Sequence, residues 1–491
     1  MPAEPLSVPA DSRAGRLIAV LVGAAFVVIL NETIMSVAIP SLMQTFSVGA
    51  ATAQWLTTAF MLTMAVVIPV TGYLLTRLPL RTVFAIAMGS FLVGTLIAAT
   101  APVFWALVLG RVVQAVGTAV MLPLLFTTVL NVVPAARRGR TMGVISIVIA
   151  VAPAVGPTIG GVVLDQLSWR WMFWLVVPIA VVATMLGLSW IRNVTEPVPV
   201  PLDALSVVLS AFAFAGLVFG LSSLGEAAEG DPLLPPWLPL TVGVVALALF
   251  VVRQLKLRDD ALLDLRAFAV PAFSLAVALV SVSMMSLFGT LILLPIYLQN
   301  VLGESTLKTG LMLLPGGLVM GLLGYVVGRL FDRFGPRPLV APGALVTCIA
   351  MWGMTSFDAV TGVGTVIAWH VVLNIGLALM FSPLLTSALG ALPQRLYSHG
   401  SAIVSTMQQV AGAAGTALFI TVLTRTTVAG AESGTDPAVA LEDGVHGAFV
   451  WGAVIAVVAV VGSLFVRRAP EPELDPVPPA AQDDPEVSVS R

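Results

Sequence analysis

The sequence predicts an all-α integral membrane protein of fourteen helices, two six-helix bundles with two extra helices inserted between them. Three observations predict it: a charge-poor composition, fourteen apolar runs of bilayer length, and strings that recur half a chain apart. Of 491 residues, 58% are hydrophobic and 10% are charged, and the mean hydropathy is +1.03. A soluble domain carries about 25% charged residues, so this chain lacks the supply for a water-facing surface. The formal net charge of -2 offers nucleic acid no basic face. The single cysteine, Cys348, excludes an intrachain disulfide and a cysteine-based metal site.

A span needs roughly 20 apolar residues for a ~30 Å hydrocarbon layer. The first run, 17–40, follows a polar segment with Arg13 and Arg16 and without a cleavable leader pattern. Helix 1 is therefore expected to stay in place and to start from the cytoplasm. Helices 2 to 6 read at 51–75, 82–101, 103–131, 141–164 and 171–191. Helix 7 reads at 204–224, and helix 8, the shortest, at 237–252. The last six fall at 271–298, 309–331, 338–356, 363–390, 401–424 and 447–466. The alternation that a membrane barrel requires is absent. The longest connections, 225–236, 253–270 and 425–446, hold no soluble domain. The tail after Arg468 is rich in Pro, Asp and Glu and reads as disordered.

Cytoplasmic connections carry the excess of Lys and Arg in membrane proteins. With the N-terminus inside and fourteen spans, 19 of the 23 Lys and Arg fall on the cytoplasmic side, all but Arg111, Arg170, Lys308 and Arg425. A miscounted helix would scramble this segregation. The expectation is a multi-pass protein of the cell (plasma) membrane with both termini cytoplasmic.

The chain also repeats itself. GYLLTRLPLR, Gly72 to Arg81, is echoed by GRLFDRFGPR, Gly328 to Arg337, 256 positions later (328 minus 72). RVVQAVGTAVMLPLL from Arg111 is echoed by HVVLNIGLALMFSPLL from His370, 259 positions later (370 minus 111). Helices 1–6 thus correspond to helices 9–14. The expected units are 1–192 (helices 1–6), 193–266 (helices 7–8 and a linker), 267–468 (helices 9–14) and the tail 469–491. Parallel repeats of this kind build transporters whose substrate sites lie at the repeat interface near the midplane.

Ionisable residues inside the hydrocarbon are costly and point to function. Among the carboxylates only Glu32 lies deep in a span, roughly 22 Å from the inner face at 1.5 Å per residue. Arg111 lies roughly 12 Å from the outer face, so in a ~30 Å layer the two fall at nearly one depth. Desolvation favours a protonated carboxyl and a nearby cation favours the carboxylate, so this pair is the candidate for proton coupling. A static pair fixing helix packing is the bland alternative. His370, the repeat counterpart of Arg111, joins Asn31, Gln114, Met354, Asn374, Gln408 and Gln409 as candidates for a substrate cavity. Each of the polar ones also suits a plain interhelical hydrogen bond.

Helix 5 contains APAVGPTIGG, Ala152 to Gly161, in which Pro153 and Pro157 bend the helix. Gly156, Gly160 and Gly161 allow a neighbouring backbone to come close. The sequence at this point resembles the major facilitator superfamily in its 14-helix drug:proton antiporter branch (EmrB/QacA-like). Five strings carry the resemblance in order: LNETIMSVAIP (30–40), the paired strings at Gly72 and Gly328, LGRVVQAVG (109–117), the helix 5 string, and SWRWMFW (168–174). The resemblance implies a cytoplasmic gating role for Gly72, Arg77, Arg81, Gly328, Asp332, Arg333 and Arg337. It implies a conformational role for Gly156, Pro157, Gly160 and Gly161, and a proton-transfer role for Arg111. Where the family usually has Asp, this chain has Asn31, which leaves the proton-carrying role to Glu32. Thr76 and Pro79 also depart from the gating pattern, so an acid–base clasp of Asp332 with Arg333 or Arg337 is expected only in the second half.

The resemblance implies a proton-coupled antiporter that exports small amphiphilic compounds such as drugs or antibiotics by alternating access. Export of a lipid or envelope precursor, or of a native metabolite, would suit the same fold, as would, less well, a nutrient facilitator. An enzyme is not expected: three scattered histidines form no metal or nucleophile cluster. No cofactor is expected, the proton gradient being the energy source. The partners are the small-molecule substrate, protons and the lipid bilayer, with no nucleic acid, and the protein is expected to act as a monomer.

Overall fold

Lipid offers no hydrogen-bond partners, so each backbone segment that crosses it must satisfy its own N–H and C=O groups as a helix. The computed structural model describes residues 10–191, 197–199, 201–229 and 234–467. Expectations for Arg192, Arg468, Arg491 and the tail 469–491 lie outside the described residues, as does the side chain of Pro157. Among the described residues, fourteen helices are long and apolar enough to cross a bilayer. The first six are α1 (Ala10–Phe46), α2 (Ala50–Arg77), α3 (Leu80–Ala99), α4 (Phe104–Val132), α5 (Arg138–Gln166) and α6 (Trp171–Trp190). Two follow as α7 (Ala204–Glu229) and α8 (Trp237–Leu257). The last six are α9 (Pro271–Ile296), α10 (Thr306–Phe334), α11 (Arg337–Met354), α12 (Val363–Gly390), α13 (Tyr397–Glu432) and α14 (Pro437–Ser463).

The sequence spans and these helices match in number and order, and they differ at the ends. The expected 425–446 connection is largely helical: α13 runs to Glu432 and α14 starts at Pro437. Only a tight turn joins them, with Gly434 at φ 82° and Asp436 accepting from the Ala438 N–H as the N-cap of α14. Hydropathy reports where a helix meets lipid, and these helices continue past it into polar sequence. The same reason extends α1 to Ala10 and Phe46 and α8 to Leu257. α6 is interrupted at Leu175 between Trp171–Trp174 and Val176–Trp190. α9 ends in a π turn, Tyr297–Val301.

Two bundles of like construction result. In the first, α1 packs on α5 and α4, and α4 packs on α2 and α3; in the second, α9 packs on α13 and α12, and α12 packs on α10 and α11. Across the bundles α5 meets α10 and α2 meets α13, again in equivalent pairs. α7 and α8 form a hairpin whose α7 lies against both α2 and α13. Its base is tied by Asp203, which accepts from the Ser206 N–H and pairs with Arg253 through Nε at 2.6 Å and Nη2 at 2.7 Å. Arg253 holds the Asp203 carboxyl well below the usual carboxylate range. The outward faces of the bundles expose large apolar side chains such as Met185, Leu322 and Val458, as lipid-facing surfaces do.

Candidate functional site

Arg111 is the eighth residue of α4 counted from Phe104, and it is almost fully buried, at 1% exposure. A guanidinium only donates hydrogen bonds, so its neighbours must present oxygens. Its Nη1 donates to Asn31 Oδ1 at 3.4 Å and to Gln114 Oε1 at 3.1 Å. Gln114 turns its own amide N–H to Thr95 Oγ1 at 2.8 Å, and Thr95 donates on to the Phe91 carbonyl at 2.6 Å. The Phe60 ring lies over the guanidinium, its centroid 4.0 Å from Cζ. The Arg111 Nε has no partner. Gly94 makes room for this arrangement, because a Cβ there would stand 2.8 Å from Gln114 Cγ and 2.6 Å from the Gly110 carbonyl oxygen.

Glu32 follows Asn31 and lies within electrostatic range of Arg111. Among the described residues its carboxylate accepts no hydrogen bond. The cation beside it is thus bound to two neutral amides and an aromatic face. A carboxylate at position 31 would compete with Glu32 for the guanidinium; the Asn31 amide does not.

The glycines of α5 bring α1 close at this level. Gly156 abuts the Thr33 hydroxyl, and a Cβ at Gly160 would stand 3.2 Å from the Ile34 carbonyl oxygen. Thr33 Oγ1 also reaches the Ala152 carbonyl at 3.4 Å. Gly161 faces open space and carries no such contact. On its other side α5 meets α10, Ala154 against Gly317. α5 therefore stands between the helix bearing Glu32 and the second bundle.

His370 is the eighth residue of α12 counted from Val363, the place Arg111 holds in α4. It is buried, and the Asn374 amide lies 3.3 Å from its Nε2 and donates to the His370 carbonyl at 2.8 Å. Gly316 of α10 covers the pair: a Cβ there would stand 2.5 Å from Nε2 and 2.7 Å from the Asn374 amide nitrogen. Gln408 is buried with its Nε2 unpartnered, Gln409 is half-buried, and Met354 is fully buried at the end of α11. No hydrogen bond joins the two glutamines to the His370 pair or to Arg111 among the described residues.

The two bundles meet at the face that carries Arg77, Arg81, Arg138, Arg333 and Arg337, the basic face. Asp332 accepts from the backbone N–H of Gly139 at 2.8 Å and of Arg140 at 2.9 Å. Its partners are therefore the N-terminus of α5, where a helix dipole favours an anion, and neither Arg333 nor Arg337. Gly328 lies against Gly139, and a Cβ at Gly72 would stand 3.3 Å from Ala402 Cβ. Gln394 donates to Asn131 Oδ1 at 3.3 Å, and the Arg138 guanidinium lies 5.5 Å from the Tyr397 ring centroid. Sequence reasoning missed Phe60, Thr95, Gly139 and Gly316. The small residues at 139 and 316 were visible as glycines, but their facing partners were not.

A model of the Major Facilitator Superfamily matches residues 21–416. The lincomycin resistance protein LmrB of Listeria monocytogenes is 42% identical over 458 residues, covering 92% of this chain and 97% of that protein. LmrB of Bacillus subtilis is 39% identical over 451 residues, covering 91% and 94%. The crystal structure of the human organic anion transporter MFSD10 (TETRAN) shares the fold, with a TM-score of 0.68 at 14% identity, covering 93% of this chain and 100% of that one. On the family match and on relatives aligned over nearly their full lengths, this chain is a member of the major facilitator superfamily.

Proposed function

We propose that this chain is a proton-coupled exporter of small amphiphilic organic compounds, drugs or antibiotics among them, working by alternating access in the plasma membrane with its basic face in the cytoplasm. The single observation that carries the coupling is the Glu32 carboxylate, which among the described residues accepts no hydrogen bond and lies in electrostatic range of an Arg111 that is tied to neutral groups. Such a carboxylate is poised between two forms. Water and the cation favour the charged form, and a dry cavity or a cationic substrate that screens Arg111 from it changes the balance. Proton uptake from outside and release inside then alternate with the exposure of the cavity. The contacts of Asp332 with α5 and of Gly72 with α13 hold the cytoplasmic ends together in this state, as an outward-facing step requires.

The names of the LmrB relatives support an antibiotic as cargo, and a lincosamide is the first compound to test. Energised inverted vesicles containing the protein should take up at least one member of a panel of lincosamide, cationic, neutral and anionic compounds. Uptake should collapse when a protonophore is added. If no member of that panel moved, export of a lipid or envelope precursor would replace the drug reading.

A further inference from the structure

We propose that Phe60 is a positioning residue for the coupling step: its ring clamps Arg111 against Asn31 and Gln114, so that the cation stands beside Glu32 without closing onto it as a hydrogen-bonded ion pair. This inference rests on the reading of Glu32 as the proton carrier and adds a residue to it.

Phe60 and Arg111 are each 1% exposed. An Arg plane covered by an aromatic face keeps its edge for hydrogen bonds and loses its freedom to tilt. One edge is already used, by Asn31 and Gln114 through Nη1. The Nε donor remains unused although a carboxylate lies in electrostatic range. A free guanidinium in a low-dielectric site would give that donor to the carboxylate, so something restrains it. Phe60 is itself held: with Met64 and Ile68 it forms a cluster against Ala115 and Ala119, on either side of the α4 turn that follows Gln114. Small residues at 115 and 119 let the α2 side chain reach across to the guanidinium.

The other ionisable residues whose side chains are described on α1, and on the helices packed against α1 and α4, sit toward helix ends. They are Arg16 on α1, Tyr73 and Arg77 on α2, Arg81 on α3, Arg138, Arg140 and Asp165 on α5, and Tyr397, His399, Arg425 and Glu432 on α13. α6 carries none. Glu32 and Arg111 are left as the charged pair of this layer, and the ring that sets their relation sets the pH at which Glu32 changes form.

The test reads protonation without a transported compound. The full-length protein is reconstituted in lipid, and the infrared band of a protonated carboxyl is followed between about pH 5 and pH 9, with Glu32 identified by the band lost in Glu32→Gln. In Phe60→Leu, which keeps apolar volume and removes the π face, Arg111 can close onto Glu32. The midpoint of the Glu32 band should then move about one unit toward acid. In Phe60→Trp, which keeps a π face, it should stay at the wild-type value. A wild-type midpoint in Phe60→Leu, or an equal shift in both variants, would overturn the role of the ring while leaving Glu32 as carrier. Loss of no titrating band in Glu32→Gln would overturn the carrier reading, and this proposal with it.

Discussion

Replacing Arg111 with leucine is expected to reduce gradient-driven transport by at least about 100-fold. Removing one member of a buried charged set costs about 3–5 kcal/mol, and each 1.4 kcal/mol is about tenfold. The variant strips from Glu32 the cation that lies in electrostatic range of it, and the carboxyl then holds its proton in both orientations. It also leaves the oxygens of Asn31 and Gln114 without their donor. Arg111→Lys keeps a charge but cannot lie flat under Phe60 and serve both amides from one nitrogen at fixed angles. A loss of about tenfold is expected there, between the wild type and the leucine variant. Uptake by inverted vesicles, normalised to the amount of protein in the membrane, measures both. Wild-type uptake by Arg111→Leu would remove Arg111 from the mechanism.

The second large effect is expected at Gly139. A Cβ there would meet the Asp332 carboxylate and stand 2.6 Å from both the Gly328 carbonyl oxygen and the Phe331 ring. Valine would force α5 and α10 apart at the basic face, at a cost of about 1–3 kcal/mol for overpacking. It would also pull the α5 N–H groups of Gly139 and Arg140 away from Asp332, which loosens a charged cap of about 1 kcal/mol. Together these, about 2–4 kcal/mol, bias the protein toward the state open at that face by roughly 30- to 900-fold. A cysteine introduced at Asn131, beside Gln394, should react with a bulky thiol reagent faster in Gly139→Val than in an otherwise wild-type chain carrying only Asn131→Cys. Equal rates would show that the α5–α10 contact does not hold this face shut.

How much of this was legible in the chain follows from what hydropathy and spacing can register. Fourteen apolar runs give fourteen helices because lipid tolerates little else. The offset of 259 positions between Arg111 and His370 returns in the structure as the eighth residue of α4 and of α12. Glu32 and Arg111 stood out because a charge in an apolar run is rare. What could not be read is which way each helix faces. Phe60 is one aromatic among 22 Phe, and only the azimuth of α2 against α4 sets it over a guanidinium. The resemblance implied a clasp of Asp332 with Arg333 or Arg337, and Arg333 is its next neighbour in the chain. Their neighbouring side chains diverge on the helix by about 100°, and the carboxylate reaches across to the α5 N-terminus instead. Gly161 was read with Gly156 and Gly160 as a packing glycine; among the described residues no neighbouring helix comes within 4 Å of where its Cβ would stand.

Whether Glu32 carries the coupled proton can be measured on purified protein in liposomes. Export of a compound found in the uptake panel is followed with and without an imposed pH gradient, for the wild type and for Glu32→Gln. The wild type should move its substrate against a gradient of that substrate when protons flow the other way. Glu32→Gln should exchange substrate down its own gradient at a rate that the pH difference does not alter. If Glu32→Gln still pumped in full response to the pH gradient, Glu32 would not be the coupling carboxylate.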